Sequence, residues 1–291
     1  MPLSAIDTHT HVISGDEARY PRAPIGGHQS DWSKERPVSV ELMLESMDAA
    51  GVAKSVLVQA STCYGHDNSY VADALAAHPG RFTGVCSIDV LAADARDVLR
   101  RWLDKGFTGL RLFTTGSTMA GQQLGWLDDP RSFPVWEMAS ERKLPICLQM
   151  TAKAIPQVVT LATRFPQVPI ILDHFARPSL EDGPPYAAAA SLWQLARFEN
   201  VYMKATPHNF LEARRGKATP ESFFRRAAAE FGASRIAWGS NYPAASGTLA
   251  ELLTMAHEAF AALTADERDW VFTRTALTLY PSLAAASSSR A

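Results

Sequence analysis

Three histidines and two arginines stand where they could act together on a carbonyl group. His9 and His11 lie two apart in Ile6-Asp7-Thr8-His9-Thr10-His11-Val12. Successive side chains of a strand point to opposite faces, so on a strand the two rings share one face. His174 closes a second apolar run, Ile170-Ile171-Leu172-Asp173-His174. Neutral imidazoles gathered in this way can bind a divalent metal or hydrogen-bond a carbonyl directly. Arg111 lies inside the apolar stretch Phe107-Thr108-Gly109-Leu110-Arg111-Leu112-Phe113. An unpaired guanidinium there is costly, so a carboxylate partner is implied, either Asp89 or Asp173 of the chain or one on a substrate. Arg177 precedes Pro178 and is expected to be extended; it is either a second anion contact or a cap on a rim. Ser61, Gln149, Lys204 and Asn241 stand at the ends of other apolar runs. The alternative for each is a satisfied polar residue at a strand end.

The elements that must position these residues are eight short apolar runs, at 5–12, 54–60, 82–88, 107–113, 145–150, 169–174, 201–206 and 235–240. Between them lie amphipathic stretches of helical period. The runs are continuously apolar rather than alternating, as in strands covered on both faces. Eight alternating units predict an α/β fold, a (β/α)8 TIM barrel, over residues 1–283, with a frayed tail at 284–291. An open doubly wound sheet would carry a glycine-rich phosphate turn after an early strand, and the sequence has none. In such a barrel, function gathers where strands end, and every residue named above falls at such an end. Two connections, 13–37 and 114–133, are long enough to build or cover a site. The first holds Tyr20, Arg22, His28 and Trp32 and is a candidate lid.

Composition excludes several classes. The 291 residues carry a net charge of -2, which leaves no basic field for nucleic acid. Cys63, Cys86 and Cys147 form no CxxC pair and read as buried thiols. No apolar run reaches membrane-spanning length and no signal segment opens the chain, so a cytoplasmic protein is expected.

Taken together, Asp7-x-His9-x-His11, Leu172-Asp173-His174 with Arg177-Pro178, and Trp238-Gly239-Ser240-Asn241-Tyr242-Pro243 resemble the amidohydrolase superfamily. The nearest branch is the amidohydrolase-related group that includes 2-pyrone-4,6-dicarboxylate lactonase. Val56-Leu57-Val58-Gln59-Ala60-Ser61 and Gly109-Leu110-Arg111-Leu112 add to the likeness, which runs from Ile6 to Tyr280. It implies an amidohydrolase-type barrel and a hydrolase that opens a lactone of a small acidic metabolite. In that reading His9, His11, His174 and Asn241 are catalytic, and Arg111, Arg177, Ser61 and Gln149 bind substrate. The three histidines are also the candidate ligands of one divalent ion, zinc or manganese; the alternative is no cofactor. The eighth-strand residue of the superfamily is usually an aspartate that activates water, and here it is Asn241. An amide neither accepts a proton nor ligates a metal well. Gln149 stands where metal-dependent relatives carry a histidine or carboxylated lysine. A galactarolactone isomerase of the same branch resembles this chain at Asn241. Intramolecular acyl transfer is therefore one alternative, and a non-catalytic barrel that binds an acidic metabolite is another.

Overall fold

The structure is a computed structural model that describes residues 5–115 and 125–284. Eight parallel strands follow one another around a barrel in sequence order. They are β1 (Ala5–Thr10), β2 (Val52–Val58), β3 (Phe82–Ser87), β4 (Phe107–Phe113), β5 (Ile146–Gln149), β6 (Ile170–Asp173), β7 (Val201–Ala205) and β8 (Ile236–Trp238). Helices join them on the outside, as βα crossovers require. Val40–Ala50 begins behind the Ser39 cap and stops at Gly51, whose φ of 71° suits a residue without Cβ. Residues 187–197 form a chain of short turns (Ala187–Ala189, Ala190–Trp193, Gln194–Arg197) rather than one helix. Residues 265–279 close the barrel as a helix that contains a π turn, Trp270–Arg274.

The strands bury two layers of apolar side chains. Inside the barrel, Ile6, Val56, Val58, Val85, Cys147 and Ile171 pack onto Ala276, Leu279 and Tyr280, which plug the bottom. Their alternate neighbours Leu57, Cys86, Leu110, Leu148 and Leu172 face the helices. The three cysteines are free and buried. Trp238 belongs to this outer packing, 5.8 Å from the Phe272 ring.

Strand β1 departs from plain alternation. Asp7 pairs with Ser55 but Thr10 with Leu57, so three steps on β1 face two on β2. This one-residue bulge lets Ile6 fill the barrel core while His9, three residues on, points inward as well. The seam between β8 and β1 is held by side chains as much as by backbone. Asp7 Oδ1 accepts from the His9 and Ser240 amides at 2.9 Å each, and Thr8 Oγ1 donates to the Trp238 carbonyl at 2.6 Å. Gly239 permits this approach, since a Cβ there would lie 2.7 Å from the Cβ of His9. Among the described residues no helix is long and apolar enough to cross a membrane.

Candidate active site

Inward positions of four adjacent strands carry the charged floor of the barrel mouth. On β4 the inward series is Gly109 and Arg111, on β5 Cys147 and Gln149, on β6 Ile171 and Asp173, and on β7 Tyr202 and Lys204. Asp173 is the hub. Arg111 Nε donates to its Oδ2 at 2.9 Å, and Lys204 Nζ lies 2.9 Å from its Oδ1. His9 Nδ1 is 3.6 Å from the same Oδ1. All four side chains are buried. Burial raises the Asp173 carboxyl, but Lys204, His9 and Arg111 outweigh it and hold the group well below the ordinary carboxylate range. Burial lowers Lys204, but Asp173 more than restores it, so the ammonium keeps its proton. Two cations thus share one carboxylate in a low-dielectric floor, which leaves positive charge for whatever binds above. Of the two chain partners open for Arg111 on the sequence, the structure selects Asp173.

Above this floor is a chamber of about 180 Å³. It receives His11, Arg111, Gln149, His174, Arg177 and Asn241, with Ser61 and Gln59 on the β2 side and Trp32 over the top. Seven of the eight residues expected to be catalytic or to bind substrate therefore meet in one space. The exception is His9, which is fully buried and lies beneath the chamber, with both ring nitrogens unbonded. A larger surface cavity of about 830 Å³, between His257 and Arg274, holds none of the strand-end residues.

His11 and His174 are each oriented by a partner the sequence does not reveal. His11 Nδ1 bonds the Val58 carbonyl at 2.8 Å. A carbonyl only accepts, so Nδ1 carries the proton and Nε2 a lone pair. Burial, then Arg111, lowers the His11 pKa to about 4. His174 Nδ1 meets the Thr206 hydroxyl at 2.7 Å, and burial holds this imidazole well below its ordinary pKa. Asn209 Nδ2 supports the turn by donating to the His174 carbonyl at 2.8 Å. Residues 174–177 all have φ between 51° and 57°, a left-handed turn of four residues, none of them glycine. Isolated left-handed residues are already disfavoured by about 1–2 kcal/mol each, and such strain concentrates at functional sites. The turn overrides the extended conformation expected of Arg177 before Pro178: its φ is 51° and ψ 60°. Its effect is to swing both His174 and Arg177 over the chamber. Arg177 stands at the rim. Surrounding protein, and then the like charge of Arg111, lower its pKa, the signature of two guanidiniums awaiting an anion.

The 13–37 connection is anchored rather than loose. Tyr20 packs with Ile13, Ala60, Cys63 and Tyr64, and its hydroxyl donates to Asp73 at 2.6 Å. Arg22 donates to Tyr64 Oη at 2.6 Å and the Ser14 carbonyl at 2.7 Å. Of the four side chains noted in it, Trp32 is the one among the chamber residues, 5.3 Å from the His11 ring. Residues 116–124 of the second long connection lie outside the described residues, as does all but the first residue of the 284–291 tail.

The donors that would hold a metal are His9, His11 and His174, and two cations stand beside them. Among the described residues no three His, Cys, Asp or Glu side chains are grouped so that they could hold one. Lys204 and Arg111 would face the ion with like charge, both lowering the proton affinity of His9. Of the three histidines expected as ligands, His11 and His174 line the chamber and His9 lies below it, with its ring centroid 5.0 Å from that of His11 and 5.5 Å from that of His174.

A parallel eight-stranded barrel with histidines and arginines converging on its C-terminal mouth defines a hydrolytic barrel enzyme of the metal-site or carbonyl-activating kind. The sequence pattern of the Amidohydrolase family matches residues 6–282, and the chain belongs to that family. It is 26% identical over 248 residues to an L-fucono-1,5-lactonase of Burkholderia ambifaria, covering 82% of this chain and 80% of that one. A provisionally assigned 2-pyrone-4,6-dicarboxylic acid hydrolase from Pseudomonas putida superposes with a TM-score of 0.77 at 24% identity, covering 97% of this chain and 99% of the other. An amidohydrolase of Burkholderia multivorans with bound zinc gives 0.73 at 18% identity, covering 96% and 99%. These structural likenesses establish the shared fold.

Proposed function

We propose that the protein hydrolyses the lactone of a small anionic metabolite without a metal. The observation that carries this reading is the convergence of Arg111 and Arg177 beside His11, whose Nδ1 is bonded to the Val58 carbonyl and whose Nε2 is left as the acceptor on the Asn241 side. The guanidiniums hold a carboxylate of the substrate and fix the ring. His11 acts as general base. Its pKa of about 4 matches that of an ordinary aspartate, so it replaces in basicity the carboxylate that Asn241 lacks. His11 Nε2 takes a proton from water, and the hydroxide oxygen bonds to the lactone carbonyl carbon. In this scheme His174 takes the tautomer in which Nδ1 accepts from the Thr206 hydroxyl, one of the two directions that contact allows, and Nε2–H donates to the developing oxyanion. The carbon–oxygen ring bond then breaks, and the leaving alkoxide takes the proton held by His11. The product is an open-chain hydroxy acid. Asn241 lies beside His11 and orients the attacking water.

His9 does not touch substrate in this scheme. With Lys204 and Asp173 it forms the charged base on which Arg111 is held. Two other readings were open: intramolecular acyl transfer and a non-catalytic barrel. Similarity to a curated lactonase favours ring opening over both. The test is a pH-stat assay of the purified protein on acidic and neutral lactones. Acid release from an acidic lactone, lost in His11→Gln, supports the reading; a changed ring size without acid release points to acyl transfer.

A further inference from the structure

Arg111 lines two cavities, and the proposed reaction uses one of them. The second, about 340 Å³, opens over the ends of β3 and β4. Its walls include Ile88, Val90, Leu91, Phe113 and Trp126. Ile88 and Val90 are buried, so the inner surface is mostly apolar, with His66 and Arg111 as its polar groups. Asp89 is exposed at the rim, where it repels a second anion. A cavity of about 150 Å³ with apolar walls is enough to admit benzene, and this one is more than twice that size. It also exceeds the roughly 180 Å³ polar chamber, which has room for little more than the lactone ring. A hydroxylated sugar chain would meet a mostly apolar wall there, with His66, Asp89 and Arg111 the polar groups within it.

We infer that this compartment receives an alkyl or aryl substituent of the substrate. The substrate class is then an anionic lactone with an apolar arm, rather than a sugar lactone. The ring sits over His11 and His174, the carboxylate bridges Arg111 and Arg177, and the arm passes Arg111 into the β3–β4 compartment. This rests on the lactonase reading for the reaction but on separate residues for the specificity.

The probes are 5-oxooxolane-3-carboxylates bearing hydrogen, methyl, butyl or phenyl at C2. In the wild type kcat/KM rises about fourfold for each methylene buried, until the compartment is full. Leu91→Arg flattens the series while leaving the rate on the unsubstituted lactone unchanged. Should that variant fail to fold, Trp126→Ala, which trims one wall, lowers the phenyl preference severalfold. Calorimetry with phenylsuccinate and succinate separates the two claims. If phenylsuccinate binds more tightly, and Leu91→Arg removes the difference, the compartment stands even when no lactone is opened. If lactones are opened at rates independent of the substituent, and phenylsuccinate binds no more tightly than succinate, the compartment proposal is overturned while the hydrolase reading survives.

Discussion

Asp173 on β6 accepts from Arg111 on β4 at 2.9 Å, so the residue proposed to anchor the substrate is itself held by a carboxylate two strands away. The other oxygen of that carboxylate faces Lys204 at 2.9 Å. Removing one partner of a buried ion pair leaves the remaining charge uncompensated, typically at about 3–5 kcal/mol. Asp173→Asn is therefore expected to destabilise the fold by an amount in that range, because two cations lose their common partner. Urea unfolding measures it; a loss below about 1 kcal/mol would mean that Asp173 contributes no more than a surface pair.

Arg177 and Arg111 have different duties. Arg111 is fixed by Asp173, whereas Arg177 stands at the rim beside the like charge of Arg111, with Asp173 acting against it. Arg177→Met is expected to raise KM for an acidic lactone by about 10–100-fold, the loss of one charge-assisted contact, and to leave KM for a neutral lactone unchanged. Equal effects on both substrates would contradict an anion-binding role.

The fold was legible because its signals repeat. Eight apolar runs separated by helical period leave few arrangements other than a barrel, and the strand-end rule then placed His11, Arg111, Gln149, His174 and Asn241 near one another. Less legible were features that depend on one-residue shifts or on backbone partners. The bulge in β1 has no residue signature, so His9 and His11 read as equivalent although only His11 reaches the chamber. The Val58 carbonyl that fixes the His11 tautomer is invisible in a side-chain pattern. Likewise the left-handed turn at 174–177 contains no glycine to announce it, and the general rule for a residue before proline pointed the other way. Thr206 and Asn209 had a visible signal, a helix cap in Thr-Pro-His-Asn, but nothing tied that cap to His174.

Stability should fall on mild acidification, with a sign set by the buried imidazoles. His11 has a folded pKa of about 4, and His9 and His174 are also well below the ordinary 6.5. Between those values the unfolded chain binds protons that the folded chain does not, so stability is complete above pH 6.5 and is lost as pH falls toward 4. Each such histidine contributes a slope of about 1.4 kcal/mol per pH unit. Asp7 works in the opposite direction. Burial raises it from 3.8 to about 6, so its proton is favoured by the fold between those values. Asp7→Asn removes this offset, and its thermal midpoint is expected to fall more steeply between pH 6 and pH 4.5 than that of the wild type. Parallel curves would contradict the burial of a raised carboxyl at the β8–β1 seam.

Chelation should leave the rate alone. In the proposed scheme the chamber donors act as a base, an oxyanion donor and two anion-holding guanidiniums, with cations beneath. Prolonged dialysis against EDTA is expected to change kcat/KM less than twofold on a lactone that the enzyme opens. Loss of activity restored by zinc or manganese would overturn the metal-free scheme.

The central claim is that His11 replaces the missing eighth-strand carboxylate as base, and the pH dependence of lactone hydrolysis tests it most directly. With an acidic lactone whose own carboxylate is ionised throughout, kcat/KM of the wild type is expected to stay level from pH 8 to pH 5 and to fall through a single ionisation near pH 4. In His11→Gln the rate drops by about 10²–10⁴-fold, the usual contribution of a positioned base, and that acid limb disappears. A wild-type limb near pH 6.5, or a His11→Gln enzyme that keeps both its rate and the limb near pH 4, would contradict the account.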